Sequence, residues 1–121
     1  MHPMFKDANK RFIVTLFIEE DDYRAHQKDF ETWGNQKNIK LVVQPCPFEA
    51  VEFLYRIDFD IKGHANSFEK TYFWQALTLP RSISDAQVEK IAGIHHAYLV
   101  SIIENETKHV KAYAKELQSL L

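Results

Sequence analysis

Residues 12–18 read FIVTLFI, and Thr15 is the one polar residue in this run. Alternate side chains of a β-strand point to opposite faces, so a strand here would be apolar on both faces. That pattern is typical of a strand in the interior of a sheet. We therefore predict an interior strand at 12–18 and build the remaining elements around it.

The longest alternation in the chain lies at residues 51–61, VEFLYRIDFDI. Apolar and aromatic residues occupy the odd positions, and polar residues occupy the even positions except at Leu54. A period of two over this length predicts a long strand with one buried face. Residues 62–67 then read as a connection to a further strand at 70–79, which ends at Pro80 and pairs antiparallel with 51–61.

A strand is also predicted at 39–44. It should end before the segment Pro45-Cys46-Pro47, because proline is excluded from a central ladder. Between it and the first strand, an acidic run is followed by a helix that Asp21 or Asp22 would cap. This helix should carry Tyr23, His26, Phe30 and Trp33 on one stripe at helical spacing, with Gly34 placed for a left-handed C-terminal cap.

The C-terminal third of the chain has a helical pattern. Ser84 and Gln87 have the spacing of a capping box, and no later residue forbids a helix to Leu121. An unbroken helix of this extent would measure roughly 55 Å. We expect either a break near Gly93 or Asn105, or a projecting helix that packs against a partner. Apolar residues around most of the circumference of 88–103 predict burial on several sides.

The 121 residues fit a single α+β domain spanning 1–121, with residues 1–10 as a loose lead-in. The predicted order is β-α-β-β-β-α(α). It describes a two-layer sandwich with a four-stranded, largely antiparallel sheet and a long C-terminal helical segment.

Composition excludes several kinds of partner. The net charge of −2 gives no general attraction to phosphate backbones, so nonspecific nucleic-acid binding is not expected, although a local basic face remains open. The chain has one cysteine, Cys46, and no apolar run as long as a signal peptide core or a membrane span. We therefore expect a cytoplasmic protein that makes no membrane contact.

Motifs for catalysis or cofactor binding are absent from the sequence. Three glycines cannot build a phosphate-binding loop, and Cys46 lacks the neighbours of a nucleophile, which favours an inert buried thiol. Glu106 and His109 have the i, i+3 spacing of di-iron bundles, but the other ligands of such a site are missing. We expect no metal, no cofactor and no catalytic residues.

The strands at 12–18 and 70–79 are apolar on both faces, which leaves apolar surface for a partner to cover. The leading hypothesis is a small non-catalytic regulator or inhibitor that occludes a macromolecule, as immunity, antitoxin or anti-defence proteins do. The aromatic and arginine anchors would be Tyr55, Arg56, Tyr72 and Trp74. The acidic run Glu19, Glu20, Asp21 and Asp22 would lie beside them, although capping and solvation also explain it.

Two alternatives stay open. A small-molecule-binding domain or modest enzyme would have a pocket between the sheet and the C-terminal helix, lined by Tyr55, Trp74, His95 and Tyr98. A structural homodimer would instead bury the surplus apolar surface against a second copy.

Overall fold

The computed structural model describes residues 7–56, 64–69 and 71–120. The elements in chain order are β1 (Lys10–Glu19), α1 (Glu20–Ala25), α2 (Gln27–Gly34), β2 (Ile39–Cys46), α3 (Phe48–Arg56), β3 (His64–Glu69), β4 (Tyr72–Pro80) and α4 (Asp85–Leu120). The α+β class and the long C-terminal helix are confirmed. The predicted order of elements is wrong, because a helix occupies the place of the third predicted strand.

β1 lies inside the sheet, as predicted. It pairs in parallel with β2 on one side and antiparallel with β4 on the other. These three long strands form a mixed sheet rather than a largely antiparallel one, and the short β3 pairs with the outer edge of β4. All residues of 12–18 are buried, because neighbouring strands flank β1 and side chains cover both of its faces.

Helices cover both faces of this sheet, so the predicted two-layer arrangement is wrong. We call the face that carries Leu16 the even face; there Leu16 packs with Phe30 of α2. The opposite, odd face carries Phe17, which packs with Leu54 of α3 and Leu99 of α4. The C-terminal helix therefore covers the second apolar face of the sheet.

The strand predicted at 51–61 is α3 as far as Arg56, and residues 57–61 lie outside the described residues. Val51 and Leu54 are fully buried, and their spacing of three residues is helical. The amide of Val51 donates to the carbonyl of Pro47 at 3.2 Å, so the proline stands at the start of the helix. Val51, Phe53 and Tyr55 fit a period of two, whereas Val51, Leu54 and Tyr55 fit helical spacing, so the sequence of this segment admits both structures, which explains the error.

Strand boundaries differ elsewhere in smaller ways. Residues 64–67, which we predicted to be part of a connection, belong to β3. β2 continues to Cys46 through Pro45, because it is an edge strand and edge strands tolerate proline. Residues 1–6 of the predicted lead-in lie outside the described residues, and Lys10 already belongs to β1.

The single helix predicted after the acidic run is two short helices. Glu19, rather than Asp21 or Asp22, is the N-cap of α1, and its carboxylate accepts from the amides of both aspartates. His26 leaves helical geometry between α1 and α2. Asn35, in a right-handed conformation, caps α2, so the predicted left-handed cap at Gly34 is wrong.

α4 begins with the predicted capping box. The Ser84 hydroxyl accepts from the Gln87 amide at 3.2 Å, and the Gln87 side chain accepts from the Ser84 amide at 3.2 Å. The helix then runs unbroken for 36 residues, or about 54 Å, through Gly93 and Asn105. Ile94 and Tyr98 are 62% and 51% exposed, so the predicted burial on several sides is wrong.

The core under the odd face contains a polar layer. Thr15 and Gln75 are paired residues of β1 and β4, and both are fully buried. The Thr15 hydroxyl and the Gln75 amide have no hydrogen-bond partner among the described residues. Apolar layers lie on both sides, one formed by Phe17 and Phe73 and the other containing Ile13. A buried polar group without a partner lowers stability.

Replacing Gly93 by Ala should raise the free energy of unfolding by roughly 0.5–1 kcal/mol, because a β-carbon there meets open space and alanine loses less entropy in a helix. Chemical denaturation measures the change. The reciprocal control is Ala97→Gly at an exposed position of the same helix, which should lose a similar amount. Destabilisation by Gly93→Ala would contradict a continuous α4.

Gln75→Leu should raise the free energy of unfolding by about 1 kcal/mol, because leucine has a similar volume and leaves no buried amide unsatisfied. Thr15→Val tests the same layer and should act in the same direction. Thr78→Val on β4, where the side chain is half-buried, should change stability by less than about 0.5 kcal/mol. A clear loss for both core variants would show that these groups are hydrogen bonded in solution.

Candidate functional site

A groove of about 570 Å³ lies on the even face of the sheet, beside α1 and α2. These two helices have only 6 and 8 residues, and they leave part of the face uncovered. The lining residues come from three strands, two helices and the turn before β4: Val14, Leu16, Ile18, Asp22, His26, Asp29, Phe30, Trp33, Leu41, Thr71, Tyr72 and Trp74. Its volume falls in the range of ligand and peptide sites.

Cross-strand pairs of β1 and β4 form the floor of the groove. Leu16 lies opposite Trp74, and Ile18 lies opposite Tyr72. The two β1 residues are buried, whereas both aromatic side chains of β4 are half-buried. An aromatic side chain that keeps part of its surface exposed beside a concave apolar floor is a common anchor in protein interfaces.

Aromatic side chains of the two helices form the wall. Phe30 is buried and stacks on Tyr23 with ring centroids 5.9 Å apart. Trp33 meets Phe30 edge to face at 6.1 Å. Three residues of the helical stripe predicted from the sequence, His26, Phe30 and Trp33, line the groove, whereas Tyr23 contacts Phe30 from outside the lining. Both tryptophans of the chain, Trp33 and Trp74, are lining residues.

The rim of the groove is acidic. Asp22 and Asp29 line it, and no Lys or Arg of the described residues lies within ion-pair distance of either carboxylate. His26 is the one cationic partner there when protonated, with its Nδ1 3.4 Å from Oδ2 of Asp29. Uncompensated carboxylates beside aromatic faces attract a cationic group from outside the chain.

The hydroxyl of Tyr72 stays protonated across the physiological range. Burial and a hydrogen bond to Glu69, its cross-strand neighbour on β3, raise the pKa of Tyr72 to about 12. Tyr72 therefore contributes a neutral ring and a fixed hydroxyl to the floor of the groove.

The predicted anchors are only partly brought together. Tyr72 and Trp74 share the floor of the groove. Tyr55 and Arg56 are the last residues of α3, and their side chains lie outside the described residues. The strand on which we predicted Tyr55 and Arg56 does not form, because residues 48–56 are a helix that packs against the odd face.

The acidic run is divided by the start of α1. Asp22 lines the groove, Glu19 caps the helix, and Glu20 and Asp21 are exposed outside the lining. The lining residues contributed by α2 and its N-cap were not predicted as functional. His26, Phe30 and Trp33 were visible only as a helical stripe, and Asp29 had no distinguishing pattern.

The pocket predicted between the sheet and the C-terminal helix does not form as proposed. Trp74 lies on the even face, whereas α4 packs on the odd face, where Leu99 contacts the cluster that contains Phe17. Tyr98 points to solvent with 51% of its surface exposed. The chain places its groove on the other side of the sheet.

Cys46 has the properties of an inert thiol. It is buried in the odd-face cluster with Phe17 and Leu54. Burial, with smaller contributions from Glu20 and Glu19, raises the pKa of Cys46 to about 12. A thiol that stays protonated is a poor nucleophile and a poor metal ligand.

The chain matches no protein-family model, no curated protein and no solved structure. Across 7–56, 64–69 and 71–120, no three side chains of His, Cys, Asp or Glu are grouped closely enough to hold a metal ion. Nor does any helix in these ranges combine the length and apolar character needed to cross a membrane.

The Cys46 thiol should react with a disulfide reagent at less than about 1% of the rate of the unfolded chain at pH 8, because little thiolate forms in the fold. Absorbance of the released thiol measures both rates. Since the thiol titrates near 9.0 when unfolded, stability should be highest below that pH and fall as the pH rises toward 12. Rapid labelling of the folded protein would contradict a buried thiol.

Proposed function

We propose that this protein is a non-catalytic binding protein that occludes a partner protein by holding a basic, apolar segment of that partner in the groove on the even face. Its mode of action would resemble that of immunity, antitoxin or anti-defence proteins, which act by covering a surface. The observation that carries the proposal is the combination of an aromatic floor and wall with an acidic rim.

The apolar part of the groove favours a protein segment with bulky side chains. Trp74 and Tyr72 offer half-buried rings beside the buried side chains of Leu16 and Ile18. Covering such rings supplies binding energy without a cost in backbone order, because the strand that carries them is already fixed. The adjoining Trp33 extends this surface onto α2.

The charges at the rim favour lysine or arginine in the segment. Asp22 and Asp29 have no Lys or Arg partner in the described part of the chain. Glu20 and Asp21 are exposed on the adjacent α1 but lie outside the lining, so Asp22 and Asp29 are the carboxylates that would meet the segment. A basic side chain of the partner would meet carboxylates and aromatic faces at once, which increases both association rate and specificity.

Peptide display against the folded protein tests the kind of segment bound. We expect enrichment of peptides that place Lys or Arg next to aromatic or aliphatic residues. Because both tryptophans line the groove, intrinsic tryptophan fluorescence reports binding there directly. Enrichment of acidic peptides, or binding that leaves the fluorescence unchanged, would contradict the proposal.

Trp74→Ala should weaken the selected peptide by about 2 kcal/mol or more, because truncation of an anchor removes its contact area. The ring is half-buried, so the thermal melt should remain cooperative.

Asp22→Asn with Asp29→Asn should weaken binding about tenfold. The matched control removes the same charge from the same helices outside the lining, with Asp21→Asn and Glu31→Gln, and should leave affinity within about threefold.

A small cationic molecule is the second candidate occupant, because a volume of about 570 Å³ also suits such a ligand. The fluorescence titration separates the two. Saturation by small arylalkylammonium ions such as phenethylammonium, together with failure of display to select any peptide, would favour the small-molecule function.

A structural homodimer is the third candidate, and the exposed pair Ile94 and Tyr98 on α4 favours it. These side chains lie one helical turn apart on a surface that the described residues leave open. Sedimentation of Tyr98→Glu against the unchanged chain tests this function, since a charge at an apolar helix interface dissociates it.

A further inference from the structure

A second cavity, of about 580 Å³, lies at the other end of β1 and is basic. Its lining includes Lys10, Arg11, Lys37 and Arg81, and Asp85 is the one carboxylate among the lining residues. The acidic run begins at Glu19, nine residues along the same strand from Lys10, or about 30 Å away. The small net charge of −2 therefore conceals a strongly uneven charge distribution.

Two guanidinium groups in this cavity are held in place by the fold. Nη1 of Arg11 donates to the carbonyl of Ile83 at 3.0 Å and lies 2.8 Å from the Asp85 carboxylate. Nη1 of Arg81 donates to the carbonyl of Ala8 at 3.0 Å. A guanidinium has five N–H donors, so both groups keep donors for a ligand while their positions are fixed.

The remaining cations have no internal counter-charge. Among the described residues, no carboxylate lies within ion-pair distance of Lys10, Lys37 or Arg81. Both lysines are exposed at the edge of the cavity. Three uncompensated positive charges around one concavity lower the free energy of a bound anion with several charges.

We propose that this cavity binds a compact phosphoanion, such as pyrophosphate or the phosphate groups of a small phosphorylated molecule. Guanidinium groups match phosphate oxygens in paired hydrogen bonds, and the lysines add point charges. The site lies apart from the groove on the even face, and its ligand is independent of the protein partner proposed there.

The distribution of charge favours a compact anion over a nucleic-acid duplex. Duplex binding draws on phosphate contacts spread along the helix axis, and the basic residues here surround a single cavity. Screening limits their field to about 8 Å at physiological ionic strength. A long polyanion would therefore extend beyond the basic cavity, and the part outside it would gain no binding energy from the acidic end of β1.

Isothermal titration with pyrophosphate at constant ionic strength tests the proposal. We expect saturable binding with a dissociation constant below about 1 mM. Arg81→Gln and Lys37→Gln should each raise that constant at least about tenfold, since each removes a charged donor. Lys37 is exposed and has no ion pair, so its variant keeps the fold, and a thermal melt checks both.

The matched control is Lys108→Gln, which removes the same charge from an exposed position about 35 Å along α4 from Asp85. It should leave the affinity for pyrophosphate within twofold. Absence of saturation, or equal affinity in folded Lys37→Gln and the unchanged chain, would overturn the site. Tighter binding of a short DNA duplex than of pyrophosphate would overturn its assignment to a compact anion.

Discussion

The fold depends on β1 being buried on both of its faces and paired on both of its edges. Residues 12–18 are all buried, with β2 on one edge and β4 on the other. α3 and α4 pack on the odd face, and α1 and α2 pack on the even face. A charged side chain anywhere in this run would be desolvated without a partner, a cost that a domain of marginal stability cannot absorb.

The placement of both candidate sites follows from the direction of this strand. Because β1 is an extended strand of ten residues, its two ends lie about 30 Å apart. Basic residues collect where Lys10 and Arg11 begin the strand and Arg81 follows β4. Carboxylates collect where β1 ends and α1 begins. Their separation of about 30 Å lets each end attract ions of opposite sign without neutralising the other.

Sequence reasoning identified the elements whose pattern admits a single interpretation. The run at 12–18 is apolar on both faces of the strand, which is typical of an interior strand. Ser84 and Gln87 form a capping box, which marks the start of a helix through local hydrogen bonds. The strand predicted at 51–61 was wrong because its apolar residues fit both the period of a strand and that of a helix. Only the contacts of this segment with Phe17 and Leu99 select the helix. Tyr72 and Trp74 were predicted as anchors from their residue type and strand position, whereas their proximity to Asp22 and Asp29 depends on how α1 and α2 fold back over the sheet.

The groove opens on the even face because the helices on the two faces differ in length. α4 runs for 36 residues and covers the odd face with Val88, Ala92 and Leu99, so a polar pair there, Thr15 and Gln75, is sealed from water. The helices on the even face are interrupted at His26, and together they cannot span the sheet. Tyr72 and Trp74 are therefore left half-buried, although they flank the fully buried Phe73 on the same strand. Neighbouring residues of β4 point to opposite faces of the sheet. A side chain that stabilises the core is therefore followed by one that is available to a partner.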